Sequence, residues 1–151
     1  MPIESVYCLC MQVLEIWNKR KQLFIFGNGG SAGNAIHLAN DFLYGVSRKE
    51  EPRIKIHALP ANSSVITCLA NDEGYESIFS EQLKTLAEKG DLVLALSGSG
   101  NSPNIIKALT WCKKNDIKTA AILGYDGGKA KLMVDVSIHT PVEDMQVSED
   151  C

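Results

Sequence analysis

This sequence has no excess of positive charge: 15 Lys and Arg stand against 18 Asp and Glu, a formal net charge of −3. Without a basic stripe it lacks the footprint of a duplex-binding protein, and no direct nucleic-acid contact is expected. No apolar run approaches the ~20 residues of a membrane span, so no membrane partner is expected. Glu4 stands early and no basic stretch precedes the first apolar residues, which is not the pattern of a signal peptide. The cysteines (Cys8, Cys10, Cys68, Cys112 and Cys151) are odd in number, irregularly spaced and without a C-x-x-C. Reduced thiols in a cytoplasmic protein account for them better than a disulfide frame or a zinc knuckle.

What is present is a soluble-type composition, 45% hydrophobic and 22% charged over 151 residues. That length supports one domain with a real core, spanning 1–151. Residues 3–20 read as an amphipathic packing helix, with Val6, Leu9, Cys10, Val13, Leu14 and Trp17 on one side. Short apolar runs at 23–26, 54–59, 92–96, 119–123 and 134–139 have the length of buried strands. Between them lie helical stretches at 32–42, 65–70, 79–88, 103–115 and 129–132. Ser63 and Ser102 are placed as N-caps, and Pro103 at a first helical position. Strands alternating with helices predict an α/β fold: a three-layer αβα sandwich on a five-stranded parallel sheet. No long internal repeat interrupts this pattern.

Two strand ends carry the same kind of load. After residues 23–26 comes Gly27-Asn28-Gly29-Gly30-Ser31, with Ser31 as the expected N-cap. After residues 92–96 comes Ser97-Gly98-Ser99-Gly100-Asn101-Ser102-Pro103. Glycines let backbone N–H groups approach a ligand, and a helix N-terminus favours an anion. No Lys-Ser/Thr follows the first glycines, so this is not a P-loop, and Ala32 interrupts G-x-G-x-x-G. Alone, such a corner fits turn geometry nearly as well as ligand binding. Two at the ligand-binding ends of parallel strands point to a phosphate held by hydroxyls and dipoles, as in a small sugar phosphate. His37 and Asp41 share a helix face one turn beyond the first corner. Such a pair can share a metal, move protons, or simply hold each other. His57 and His139 lie in strands and read as structural; Cys68 and Cys112 read as core.

SGSGNSPN, GNGGSA and LANDEGY together resemble the SIS (sugar isomerase) domain, and more narrowly its bacterial phosphoheptose isomerase branch. The resemblance runs from about residue 17 to the end, and 70 positions separate Gly27 from Ser97. It implies a flavodoxin-like αβα sandwich and a homotetramer. It implies that Ser31, Ser97, Ser99 and Ser102 hold the phosphate, with Gly29, Gly30 and Gly98 in the same corners. Asn28, Asn71 and Asp72 match positions lining that pocket. His37 and Asp41 fall at the family's zinc-binding and acid/base positions, Asp41 replacing a Glu. Glu149, or alternatively Gln146, aligns with a further zinc ligand. The family's later C-terminal His has no counterpart before Cys151, so the final helix is expected to be shortened. The activity implied is interconversion of sedoheptulose 7-phosphate and its aldose through an enediol, supplying lipopolysaccharide or capsule heptose in the cytoplasm. The rival expectation is a non-catalytic SIS module that binds a phosphosugar or a protein such as a replication initiator.

Overall fold

The computed structural model describes residues 3–46 and 52–142. Glu149, Gln146 and the end of the chain lie outside the described residues. Helices and strands alternate, as the sequence predicts: α1 (Ile3–Asn18), β1 (Gln22–Gly27), α2 (Gly30–Asn40), β2 (Lys55–Ala58), α3 (Ser63–Asp72) and α4 (Ser80–Leu86). β3 (Leu92–Ser97), α5 (Pro103–Lys114), β4 (Lys118–Leu123), α6 (Gly128–Lys131) and β5 (Val136–His139) complete the order. The strands form one sheet, β2-β1-β3-β4-β5, with every pairing parallel.

Side chains alternate across a strand, and here both faces are covered, so the runs are apolar throughout. Leu23, Ile25, Leu92, Leu94 and Ala120 point to one face, where α1 and α2 pack through Leu9, Val13, Ile16, Ala35 and Ala39. Phe24, Phe26, Val93, Ala95 and Ala121 point to the other, against Leu83, Ile105, Ala108, Leu109 and Cys112. Phe26 meets Phe79 there at 4.8 Å between ring centroids. The αβα sandwich expected from the alternation is therefore the observed architecture.

Several local expectations are corrected. The buried side of α1 runs through Leu9, Val13 and Ile16, while Cys10 and Leu14 are exposed. The side expected from the 3.6-residue period was thus right at Leu9 and Val13 and wrong at Cys10 and Leu14, and it left out Ile16. Trp17 serves a polar end as well: its indole N–H donates to the Pro52 carbonyl at 2.6 Å. Ser31 lies inside the first turn of α2, because Gly29 (φ 55°) takes the N-cap position. α2 gives way at Asp41 to a π turn, Asp41–Val46. α3 starts at Ser63, with the Asn62 side chain accepting from the Val65 N–H at 3.2 Å, so Asn62 and not Ser63 is the cap. It runs on through Asn71 and Asp72, past the 65–70 stretch that the sequence marked as helical. Cys112 is buried, as expected, and burial pushes its thiol up to about 12. Cys68 is exposed instead, and its bond to Asp72 raises its pKa, so neither thiol is a ready thiolate.

His57 and His139 both have structural surroundings. His57 stacks on Phe24 at 5.0 Å and lies 2.9 Å from the Gln22 amide oxygen; burial lowers its pKa. His139 Nε2 lies 2.9 Å from the Tyr125 carbonyl.

One glycine decides how β1 ends. A Cβ on Gly27 would stand 2.7 Å from the Leu96 carbonyl oxygen and 2.7 Å from the Ser31 Cβ. Gly27→Ala should therefore destabilise the fold by about 1–3 kcal/mol, the usual cost of forcing a methyl into packed space. Urea unfolding reads this directly; an unchanged midpoint would show that β1 and β3 can part without cost.

Candidate active site

The chain leaves β1 to one side of the sheet, toward β2, and leaves β3 to the other, toward β4. β1 and β3 are neighbours, with Gly27 beside Leu96. Between them the strand order reverses, and in open parallel sheets ligands bind in the crevice at that point. Both glycine–serine corners leave the sheet there. This is the arrangement that the two motifs predicted and that their 70-residue separation hid.

A cavity of about 390 Å³ opens beside these strand ends. Ser31, Asn34 and His37 reach it from α2, Ser97 and Gly98 from β3, and Gly124 and Thr140 from the ends of β4 and β5. Val6, Leu38, Leu96, Ile122 and Ile138 supply an apolar wall. A larger groove of about 910 Å³ runs along the outer edge of β2, between α3 and α4. Neither glycine corner reaches that groove, so the smaller cavity is the chemically equipped one.

Among the described residues, the cavity lining includes no Lys or Arg. Gly29 caps α2 without any side-chain cap bond, so the first-turn N–H groups of Gly30 and Ser31 face outward from a helix end. Such N–H groups and the helix dipole favour an anion. Ser97 is 9% exposed, and its Oγ accepts from the Gly100 N–H at 3.1 Å, which fixes the turn while leaving the hydroxyl proton free to point elsewhere. Ser99 Oγ accepts from the Asn101 N–H at 3.3 Å. Ser102 occupies the N-cap position of α5, yet makes no side-chain cap bond.

A third glycine-rich corner, Gly124 to Gly128 after β4, braces the second. Gly124 donates to the Gly98 carbonyl at 3.0 Å, Ala130 to the Gly100 carbonyl at 3.0 Å, and the Lys129 N–H to Asn101 Oδ1 at 3.1 Å. A Cβ on Gly100 (φ 62°) would stand 2.0 Å from the Gly127 carbonyl oxygen.

The remaining expected residues divide. His37 lines the cavity, and its Nε2 lies 3.4 Å from Asp41 Oδ2; both side chains are well exposed. Asp41 is thus paired with His37 without itself lining the cavity. Asn71 and Asp72 are exposed at the end of α3 and bonded to each other at 2.7 Å, away from the lining. Asn28 also lies outside the lining. Its amide is held by Asn104 and by the Tyr75 hydroxyl. Asn34, Thr140 and Asn104 were missed by sequence reasoning. Asn34 could have been found, since it stands three residues after Ser31 on the same helix. Thr140 could not, because only the sheet order brings β5 to this end.

Two donors are not a metal site. Among the described residues, no three His, Cys, Asp or Glu side chains gather as ligands. The 3.4 Å between His37 and Asp41 does match the edge of a tetrahedron with bonds of about 2.0–2.1 Å. The pair therefore fits two corners of a zinc site, and the third expected ligand, Glu149, lies outside the described residues.

With this geometry established, the chain can be set beside known proteins. The model of the SIS domain matches residues 4–124. The phosphoheptose isomerase of Pelobacter propionicus is 37% identical over 133 residues, covering 88% of this chain and 70% of that protein. That of Fusobacterium nucleatum is 42% identical over 137 residues, covering 88% and 68%. Among solved structures, phosphoheptose isomerase GmhA from Neisseria gonorrhoeae superposes with a TM-score of 0.91 at 28% identity, covering 98% of this chain and 78% of that one. The Francisella tularensis phosphoheptose isomerase, at 23% identity and a TM-score of 0.91, shares the fold, with 97% and 78% covered.

Ser97→Ala and Ser99→Ala should each weaken phosphosugar binding by roughly ten- to a hundredfold, the worth of one hydrogen bond to a charged group. Calorimetric titration decides: unchanged affinity in both variants would remove these serines from the site.

Proposed function

The chain belongs to the phosphoheptose isomerases of the SIS-domain family, and we propose that its cleft between the two glycine–serine corners isomerises sedoheptulose 7-phosphate. The carrying observation is that Ser31, Ser97 and His37, from two separate strand–helix units, line one cavity at the switch point of the sheet. In this reading the α2 N-terminus and the hydroxyls of Ser31, Ser97, Ser99 and Ser102 hold the phosphate. Neutral donors suit a phosphomonoester, which brings no metal of its own. The sugar then extends along the cavity toward His37.

Aldose–ketose interconversion moves one proton between adjacent carbons. A base removes the proton beside the carbonyl, an enediol forms, and an acid returns the proton to the neighbouring carbon. His37 and Asp41 are the acid/base pair of this reading: His37 lines the cavity and Asp41 lies 3.4 Å from its Nε2. Asp41, one turn further along the same helix face, orients the His37 ring. We assign His37 and Asp41 as ligands of a zinc ion as well, with Glu149 as a further ligand. A bound zinc would polarise the substrate oxygens and ease formation of the enediolate. Asn71 and Asp72 remain in the proposal as substrate contacts from the end of α3.

The product is a heptose 7-phosphate, and we place it in the supply of lipopolysaccharide or capsule heptose in the cytoplasm. No described helix is long and apolar enough to cross a membrane. A homotetramer is part of the same reading. Ile3, Tyr7, Met11 and Leu14 form an exposed apolar stripe along α1, which supports burial against another copy; light scattering reads the subunit count.

Incubation with zinc and sedoheptulose 7-phosphate in D2O tests the isomerase. NMR should reveal aldose product and deuterium at the carbon beside the carbonyl. Saturable binding without exchange would instead support a non-catalytic SIS module. The reading of a module rests on a specific feature: among the described residues no third His, Cys, Asp or Glu joins His37 and Asp41 as a metal ligand.

A further inference from the structure

Asn104 is 1% exposed, although it stands in the first turn of α5 beside an open cleft. Its amide is held on both its oxygen and its nitrogen. Asn28 Nδ2 donates to Asn104 Oδ1 at 2.9 Å, and Asn104 Nδ2 donates back to Asn28 Oδ1 at 2.8 Å. The two amides thus pair face to face across 76 positions of sequence. Asn104 Oδ1 also accepts from the Ile105 N–H at 2.9 Å. The Tyr75 hydroxyl donates to Asn28 Oδ1 at 3.2 Å, bringing in the segment between α3 and α4.

We propose that Asn104 is a positioning residue of the isomerase, clamping the β1–α2 corner to the α5 N-terminus so that both hold one phosphate. This rests on the isomerase reading given above. Two consequences follow from the geometry. First, Asn28 follows Gly27 directly and precedes Gly29, so anchoring its side chain anchors the turn that presents the α2 N-terminus. Second, Asn104 takes the N–H that a cap residue would otherwise satisfy. Ser102, at the cap position, is thereby relieved of capping and keeps its hydroxyl for ligand. One buried amide both sets the distance between the corners and frees a serine in one of them. Tyr75 extends the clamp to the third segment, and its ring is exposed, so it is the removable part.

The test compares Asn104→Asp, Asn28→Ala and Tyr75→Phe with the wild type, in turnover of sedoheptulose 7-phosphate and in its calorimetric binding. Asn104→Asp keeps the acceptor for the Ile105 N–H and the side-chain shape, but cannot donate to Asn28. A residue that only caps α5 would tolerate that change, since Asp caps well. The clamp predicts a rise in KM of about tenfold with kcat changed far less, since it organises binding of the phosphate and not the proton transfer. Tyr75→Phe should raise KM by about two- to threefold and leave the melting temperature in place. In the double variant of Asn28→Ala and Tyr75→Phe, the tyrosine change should add nothing, because its hydroxyl acts through Asn28. Should Asn104→Asp fail to fold, that cycle carries the decision alone. Wild-type kinetics in every folded variant would overturn the clamp and leave the isomerase standing. A wild type that neither turns over nor binds the sugar phosphate would overturn both.

Discussion

Everything at the cleft depends on how closely β1 and β3 run at their C-terminal ends. Gly27 sits in register with Leu96, and the absence of its Cβ lets the Leu96 carbonyl and the Ser31 side chain approach the same point. A larger residue would push α2 away from the sheet, and Ser31 would leave the corner that contains Ser97. Hydrophobic burial on both faces makes the sheet, but this contact decides that two remote motifs form one site. The energy comes from the core, and the function from a place where the core has been thinned.

The electrostatics of the cleft follow from that thinning. With no Lys or Arg in the lining among the described residues, an anion there is met by N–H groups and hydroxyls already fixed by the backbone. Ser97 is held by the Gly100 N–H, and Asn104 satisfies the helix end that Ser102 would otherwise serve. Charge is concentrated elsewhere, for example where Lys118 and then Lys19 bind Glu15 and hold its carboxyl down to about 2. That cluster ties α1 to β4 and takes no part in the cleft.

The strands and the two loaded corners were legible in the sequence because each is a local signal, and the alternation of strands with helices gave their parallel direction. Five apolar runs bounded by glycine or proline fix strands within a residue or two. The α1 face was not legible: Cys10 and Leu14 have the hydropathy of core residues, and only the position of the sheet chooses Leu9, Val13 and Ile16. The caps were misplaced for a related reason. Serine, asparagine and glycine all suit an N-cap, so neighbours such as Asn62 and Ser63, or Gly29 and Ser31, compete and backbone geometry decides. Asn104 was invisible, since an Asn after Ser-Pro reads as ordinary first-turn composition. Its partner lies across the sheet, and no local pattern announces a pairing over such a separation.

The packing of the third glycine corner against the second has a thermodynamic consequence. Gly100 lies against the Gly127 carbonyl, and Gly128 against the Ser99 carbonyl, with room for no side chain between them. The serine loop therefore cannot relax alone; to move, it would have to carry α6 with it. A loop so confined has surrendered its conformational freedom at folding. When an anion arrives, little entropy is left to lose, and the affinity of a few neutral hydrogen bonds is spent on the ligand instead of on ordering the site.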